Sequence, residues 1–168
     1  CLSDWSSDVC SSDLLINLED QMILVFSGVR RKNVTANYVA GTYVNTLGNN
    51  NKKYIYKIME HVKIAKKIFK SKNFEDIGPL LNETWRIKKT LSPMISNSKI
   101  DEIYDYGIKN GSTGGKLLGA GGAGFILFFI PHRNKKKFLK AFNNFTTINF
   151  KFENEGSKII FNGLSKKN

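Results

Sequence analysis

The chain has 168 residues, enough for one domain of ordinary size and too few for two. Hydrophobic residues make up 41% and aromatics 12%, which excludes a disordered chain. No run of about 18 apolar residues is present, so no membrane-spanning helix is expected. The formal net charge of +12 admits two readings, a polyanion partner or a solvated lysine-rich surface. The lysines are scattered over several predicted helices, which favours the second, and anionic substrates would also be drawn by such a field.

Cys1 to Leu14 (CLSDWSSDVCSSDL) nearly repeats itself, as WSSDV and CSSDL, and has neither a helical nor a strand period. It is similar to translated sequencing adapter. Residues 1–14 are therefore expected to form a non-native or disordered tail, residues 15–162 one domain, and residues 163–168 a C-terminal tail. Both cysteines, Cys1 and Cys10, fall in that first segment without Cys or His companions, so no metal site is expected. The same segment has no basic start followed by an apolar stretch, so it does not read as a signal peptide.

Gln21 to Ser27 (QMILVFS) has the composition of a buried strand, and Gly28 ends it. Val29 to Leu47 reads as a helix or loop-helix, and Gly48 to Lys53 as a polar loop. From Tyr54 the apolar residues Ile55, Ile58, Met59, Val62, Ala65 and Phe69 recur at helical spacing, which predicts an inward face; the lysines take the other. A second helix should turn Phe74, Ile77, Leu80, Leu81, Trp85 and Leu91 inward. Asn97 or Ser98 is placed to cap a third helix, with Asp101 and Glu102 in its first turn and Gly111 at its stop.

Gly114 to Gly124 is a glycine-rich loop interrupted by Lys116, Leu117 and Leu118. Phe125 to Ile130 (FILFFI) is the strongest strand of the chain and is apolar at every position, so both of its faces should be covered. Asn134 to Asn144 reads as a short basic helix, Thr146 to Phe152 as an alternating strand, and Ser157 to Phe161 as a last strand. Helices grouped between strands, with a hairpin at the end, predict an α+β sandwich built on one antiparallel sheet.

The glycine-rich segment GGKLLGAGGAGF is the one stretch that points to chemistry. Many glycines cost folding entropy and need a reason, such as close approach to a phosphate or to another loop. A tight strand-to-strand turn is the alternative. The loop is not a Walker loop, since no Gly-Lys-Ser/Thr ends it. It is not a dinucleotide fingerprint, since helix precedes it and strand follows.

The order of helix, GGKLLGAGGAGF and apolar strand resembles the third conserved motif of the GHMP kinases. The flanking segments Trp85 to Lys89 (WRIKK), Leu91 to Ile103 (LSPMISNSKIDEI) and Phe26 to Arg31 (FSGVRR) resemble the heptose 7-phosphate kinases of that superfamily. The similarity runs from about Leu18 to Phe161. It implies a ferredoxin-like two-layer sandwich with helices on one face, the C-terminal part of a cytoplasmic enzyme that transfers the γ-phosphoryl group of ATP, with Mg2+, to a sugar hydroxyl. In that family the phosphates of ATP sit on a second loop of the N-terminal domain, and the third motif lies against it.

By position, the resemblance gives Gly119, Ala120, Gly121, Gly122 and Gly124 a role in shaping the phosphate pocket, with Lys116 and Arg31 as possible contacts to an anion or the substrate. Ala123 stands where the family pattern has glycine. A positive φ there would strain the alanine by roughly 1 kcal/mol; a need for smallness alone would cost nothing. Neither the family's second motif nor its catalytic Asp with a Mg2+ partner has a counterpart in residues 1–168, so this chain alone is expected to be inactive. The implied partners are a sugar phosphate and ATP, with no membrane and no nucleic acid. Two alternatives stay open: another acceptor, such as a mevalonate-type acid or a different sugar, or a basic nucleic-acid-binding α+β domain with a bare aromatic sheet face. His61 and His132 are isolated and carry no assigned chemistry, and Trp85 reads as core.

Overall fold

The computed structural model describes residues 12–30, 35–45, 52–153 and 156–157. The elements are α1 (Ser12–Asp20), β1 (Met22–Phe26), α2 (Ala36–Asn45), α3 (Lys52–Ser71), α4 (Ile77–Thr90), α5 (Ser98–Lys109), β2 (Gly114–Leu117), β3 (Phe125–Phe129), α6 (His132–Ala141) and β4 (Thr147–Ile148). The strands form one four-stranded sheet in the order β2-β3-β1-β4, with every pairing antiparallel. This is the α+β architecture that the sequence pattern predicts.

The strongest strand sits where its composition demands, at the sheet's interior between β1 and β2. Its side chains alternate between two clusters. Ile126 and Phe128, with Ile23 and Val25 of β1 and Leu117 of β2, enter the larger core with Trp85, Ile100, Ile103, Tyr104, Phe138 and Phe142. Phe129 and Met22 take the opposite face and meet Leu18, Ile68, Phe74 and Ile77. Phe128 is completely buried and touches the rings of Tyr104, Phe138 and Phe142 at 5.3–5.8 Å. Cutting such a side chain back to alanine costs about 3–5 kcal/mol.

α5 forms as its ends dictate. The Asn97 side chain accepts a hydrogen bond from the Ile100 N–H at 3.1 Å. Asp101 lies in the first turn and Lys109 in the last, complementing the helix dipole. Gly111, at φ +110°, turns the chain out of the helix.

Three elements differ from the sequence expectation. Ser12 to Leu14 open α1, and Leu14 packs against the smaller cluster. On α3 the inward face centres on His61 and Ile68, while Met59 and Val62 are more than half exposed. His61 is buried, with its Nδ1 2.7 Å from Thr84 Oγ1 and its Nε2 3.5 Å from Glu83. The alternating segment after α6 contributes only Thr147–Ile148 to the sheet. Cys1, Cys10, Trp5 and most of the predicted last strand lie outside the described residues.

Candidate functional site

The glycine-rich segment divides into a strand and a loop. Gly114 and Gly115 belong to β2, paired opposite Phe129 and Phe128. Gly114 is there because α4 crosses so closely that a Cβ would meet the Gly78 carbonyl. The loop proper runs from Leu118 to Gly124 and is closed by Leu118 N–H donating to Phe125 O at 2.9 Å.

Within the loop, Gly119, Gly121, Gly122 and Gly124 all have positive φ, at +78°, +118°, +73° and +110°. Side chains are strained there, which accounts for four glycines in six residues. Ala123 is not among the positive-φ residues; it is buried and unstrained. Of the two readings open for that position, smallness is the operative one.

The loop is braced from three directions. Gly122 N–H donates to Ile95 O at 2.9 Å, and Asn97 Nδ2 donates back to Gly122 O at 3.1 Å. Ser27 N–H donates to Gly124 O at 3.0 Å, tying the loop to the end of β1. Lys88 Nζ, at the end of α4, donates to Gly119 O at 3.2 Å. The braces mostly use loop carbonyls. Among the described residues, the N–H groups of Ala120, Gly121, Ala123 and Gly124 meet no backbone acceptor. Free N–H groups on a glycine backbone are what an anion requires.

Space around the loop is uneven. A Cβ on Gly119 or Gly124 would meet nothing within 4 Å, whereas one on Gly121 would lie 2.8 Å from Ile95 Cα. A Cβ on Gly122 would come within 3.1 Å of Met94 O. The open edge therefore belongs to Gly119 and Gly124, and the space beyond Gly121 belongs to the neighbouring turn.

Lys116 projects from β2 on the same sheet face as Leu127, its pairing partner. Burial first, and the charge of Lys116 second, hold Lys88 below the usual lysine range. Lys99 approaches from α5: a Cβ on Gly28 would sit 3.3 Å from its Nζ. Arg31 lies outside the described residues. Lys88, Lys99, Asn97 and Ser27 complete the surroundings; sequence reasoning assigned the two lysines no part, because their nearness to the loop comes from α4 and α5, not from spacing. His132 is bound to Asn17 at 3.0 Å, far from this loop in the fold.

Among the described residues no three His, Cys, Asp or Glu side chains converge on a possible metal position. The described residues therefore offer no such position for the Mg2+ that the resemblance implies. No helix among them is long and apolar enough to cross a membrane.

The site is thus a glycine-rich loop between the edge strand β2 and the central strand β3 of an antiparallel α+β sheet, and comparison with known proteins finds the following likenesses. Residues 64–146 match the family described as GHMP kinases C terminal, in line with the resemblance carried by the glycine-rich segment. Over 99 residues it is 33% identical to the D-glycero-alpha-D-manno-heptose 7-phosphate kinase of Campylobacter jejuni, across 58% of this chain and 29% of that protein. It is 29% identical over 136 residues to the bifunctional fucokinase/GDP-fucose pyrophosphorylase of Arabidopsis thaliana, across 79% of this chain and 12% of that protein. In three dimensions it resembles the Methanococcus jannaschii mevalonate kinase with a TM-score of 0.68 at 25% identity, covering 86% of this chain and 44% of that one. The chain spans less than half the length of each of these proteins.

Proposed function

We propose that this chain is the C-terminal part of an ATP-dependent sugar kinase with a heptose phosphate or similar sugar phosphate as acceptor. The observation that carries the reading is the loop Leu118 to Gly124, whose carbonyls are braced while its open edge and N–H groups remain for an anion. In the proposed reaction the bond between the γ-phosphorus and its bridging oxygen breaks and ADP leaves. The acceptor's hydroxyl oxygen bonds to that phosphorus, and its proton passes to a base outside these 168 residues. Phosphoryl transfer asks chiefly for positioning and for neutralised charge, which backbone donors and nearby ammonium groups supply. Mg2+ would supply neutralising charge to the nucleotide, and its ligands are expected outside the described residues of this chain. The location is proposed to be cytoplasmic.

The test is a coupled ADP-release assay on the full-length protein encoded with its upstream sequence, and on the 168-residue chain. Turnover of a heptose phosphate by the longer protein and none by the shorter is expected. Turnover by the short chain would remove the claim that it is inactive alone. A full-length protein that phosphorylates no sugar phosphate would remove the sugar-kinase reading. The mevalonate kinase likeness in three dimensions favours one second reading, a mevalonate-type acceptor, and the same assay with mevalonate separates the two. Gly124→Val in the full-length protein is expected to lower turnover by at least tenfold, because its side chain enters the open edge.

A further inference from the structure

Lys99 stands where the fold gives it no reason to be. It is the second residue of α5, in the turn where a helix prefers negative charge. The carboxylate of that turn, Asp101, is already engaged by Lys89 Nζ at 2.9 Å and by Ser96 Oγ at 2.9 Å. Among the described residues Lys99 forms no ion pair and no hydrogen bond. Its ammonium lies over Gly28, at the end of β1: a Cβ on that glycine would stand 3.3 Å from Lys99 Nζ and 3.8 Å from its Cε.

That position borders the open edge of the loop. Gly28 follows Ser27, whose N–H donates to Gly124 O at 3.0 Å. The Gly124 N–H meets no backbone acceptor among the described residues, and a Cβ on Gly124 would meet nothing within 4 Å. Two residues before Lys99, Asn97 Nδ2 donates to Gly122 O at 3.1 Å, so the start of α5 is fastened to the same loop. At the loop's other open position the cation is already committed, since Lys88 Nζ donates to Gly119 O at 3.2 Å. Lys99 brings an uncommitted positive charge to the Gly124 end. Open N–H groups beside an uncommitted ammonium suit a phosphoryl oxygen, which a lysine meets as a point charge on a flexible stem.

We propose that Lys99 is a substrate-contacting residue, whose ammonium neutralises a phosphoryl group seated at the Gly124 edge of the loop. That group belongs to the nucleotide or to a sugar phosphate; the chemistry recognised is the same. The proposal rests on the kinase reading for which molecule carries the group, but not for the contact itself. It has a consequence that a structural lysine would not share. Lys99 opposes the dipole of α5 in the free protein and serves only the bound state, so its replacement should separate binding from stability.

The experiment is an amide chemical-shift titration of the 168-residue chain with tripolyphosphate, mannose 6-phosphate and mannose, paired with thermal denaturation. Tripolyphosphate stands for the nucleotide's tail and mannose 6-phosphate for a sugar phosphate. At least one of them is expected to shift the Gly28 and Gly124 amides saturably, and the tighter of the two names the source. Mannose should leave both amides unmoved. Lys99→Gln should weaken that binding at least tenfold and melt at or slightly above the parent. Lys99→Arg should restore most of the affinity, and Lys109→Gln, at the far end of α5, should match the parent. Equal affinity of Lys99→Gln and the parent would overturn the proposal, as would a parent that binds neither phosphate at these amides. A lower Tm in Lys99→Gln, or no recovery in Lys99→Arg, would also sink it, by giving the residue a structural role. Binding that depends on Lys99, in a protein whose full-length form phosphorylates no sugar, would support the contact and remove only the kinase reading.

Discussion

Gly121 and Gly124 have nearly the same backbone conformation, at φ +118° and +110°, and opposite surroundings. Beyond Gly121 lies the backbone of Ile95; beyond Gly124 lies open space. One half of the loop is glycine because another loop must approach, and the other half because the backbone must turn and stay bare. The consequence is that one glycine-rich motif has two kinds of mutant. Substitution in the braced half should act on stability first. Substitution on the open edge should act on ligand binding with a smaller effect on the fold.

Gly121→Val should give the largest effect. Its Cβ would stand 2.8 Å from Ile95 Cα and 3.0 Å from Ile95 O, at a φ that resists side chains. Overpacking costs about 1–3 kcal/mol and the left-handed backbone about 1–2 more. A loss of about 3 kcal/mol, read as a fall in Tm of roughly 10 °C, is expected by thermal denaturation. A variant that melts with the parent would show that the loop and the turn at Ile95 are not packed together.

Asn97→Ala comes next. It removes both the cap of α5 and the bond to Gly122 O. A cap is worth about 1 kcal/mol and the second bond about 0.5–1. About 1.5 kcal/mol should be lost in urea denaturation, with faster hydrogen exchange at Gly122 than at Leu117. Unchanged exchange at Gly122 would mean that Asn97 serves the helix alone. Gly124→Ala is smaller still, since only the backbone conformation opposes it, at about 1 kcal/mol. A loss above that of Asn97→Ala would mean that the open edge is packed, and the contrast between the two halves would fail.

Much of this contrast was hidden in the sequence, for a physical reason. The strands β1 and β3 and the helix α5 are legible because their signals are local: continuous apolar residues, a capping Asn97 and a stopping Gly111. The glycine loop is legible as a composition and, through its resemblance, as a family motif. What Gly121 and Gly122 face is set by Ile95 and Met94, 26 and 28 positions away, and no local pattern carries that. Gly114 and Gly115 read as loop because strands seldom hold paired glycines; here α4 crosses too close to Gly114, and the β3 backbone at Leu127 lies too close to Gly115, for anything larger. The α3 face was misplaced because His61 reads as polar and isolated, while its partners Thr84 and Glu83 lie one helix on. Lys88 was passed over as one basic residue among many, since only the fold brings it to Gly119.

The smallest expected effect serves as the control for the others. Glu83 lies on α4 away from both halves of the loop and pairs with Lys57 of α3 at 2.6 Å. The hydrogen bond from Lys57 is the largest cause holding its carboxyl below the ordinary value of 4.5, and the charges of Lys57 and His61 add to it. A carboxyl depressed in the folded state stabilises the protein above its unfolded value and loses that contribution as pH falls through the folded value. The group is half exposed, so solvent screens the pair and its worth is small. Glu83→Gln should therefore cost about 0.5 kcal/mol at pH 7, and the difference from the parent should fade as pH drops below about 4.5. Hydrogen exchange at Gly119 to Gly124 should not change. A deficit that persists at pH 3 would assign the effect to packing against His61 instead of charge. Altered exchange in the loop would show that α4 carries strain from its pairing with α3 to Lys88, and the loop variants would then have to be read against that coupling.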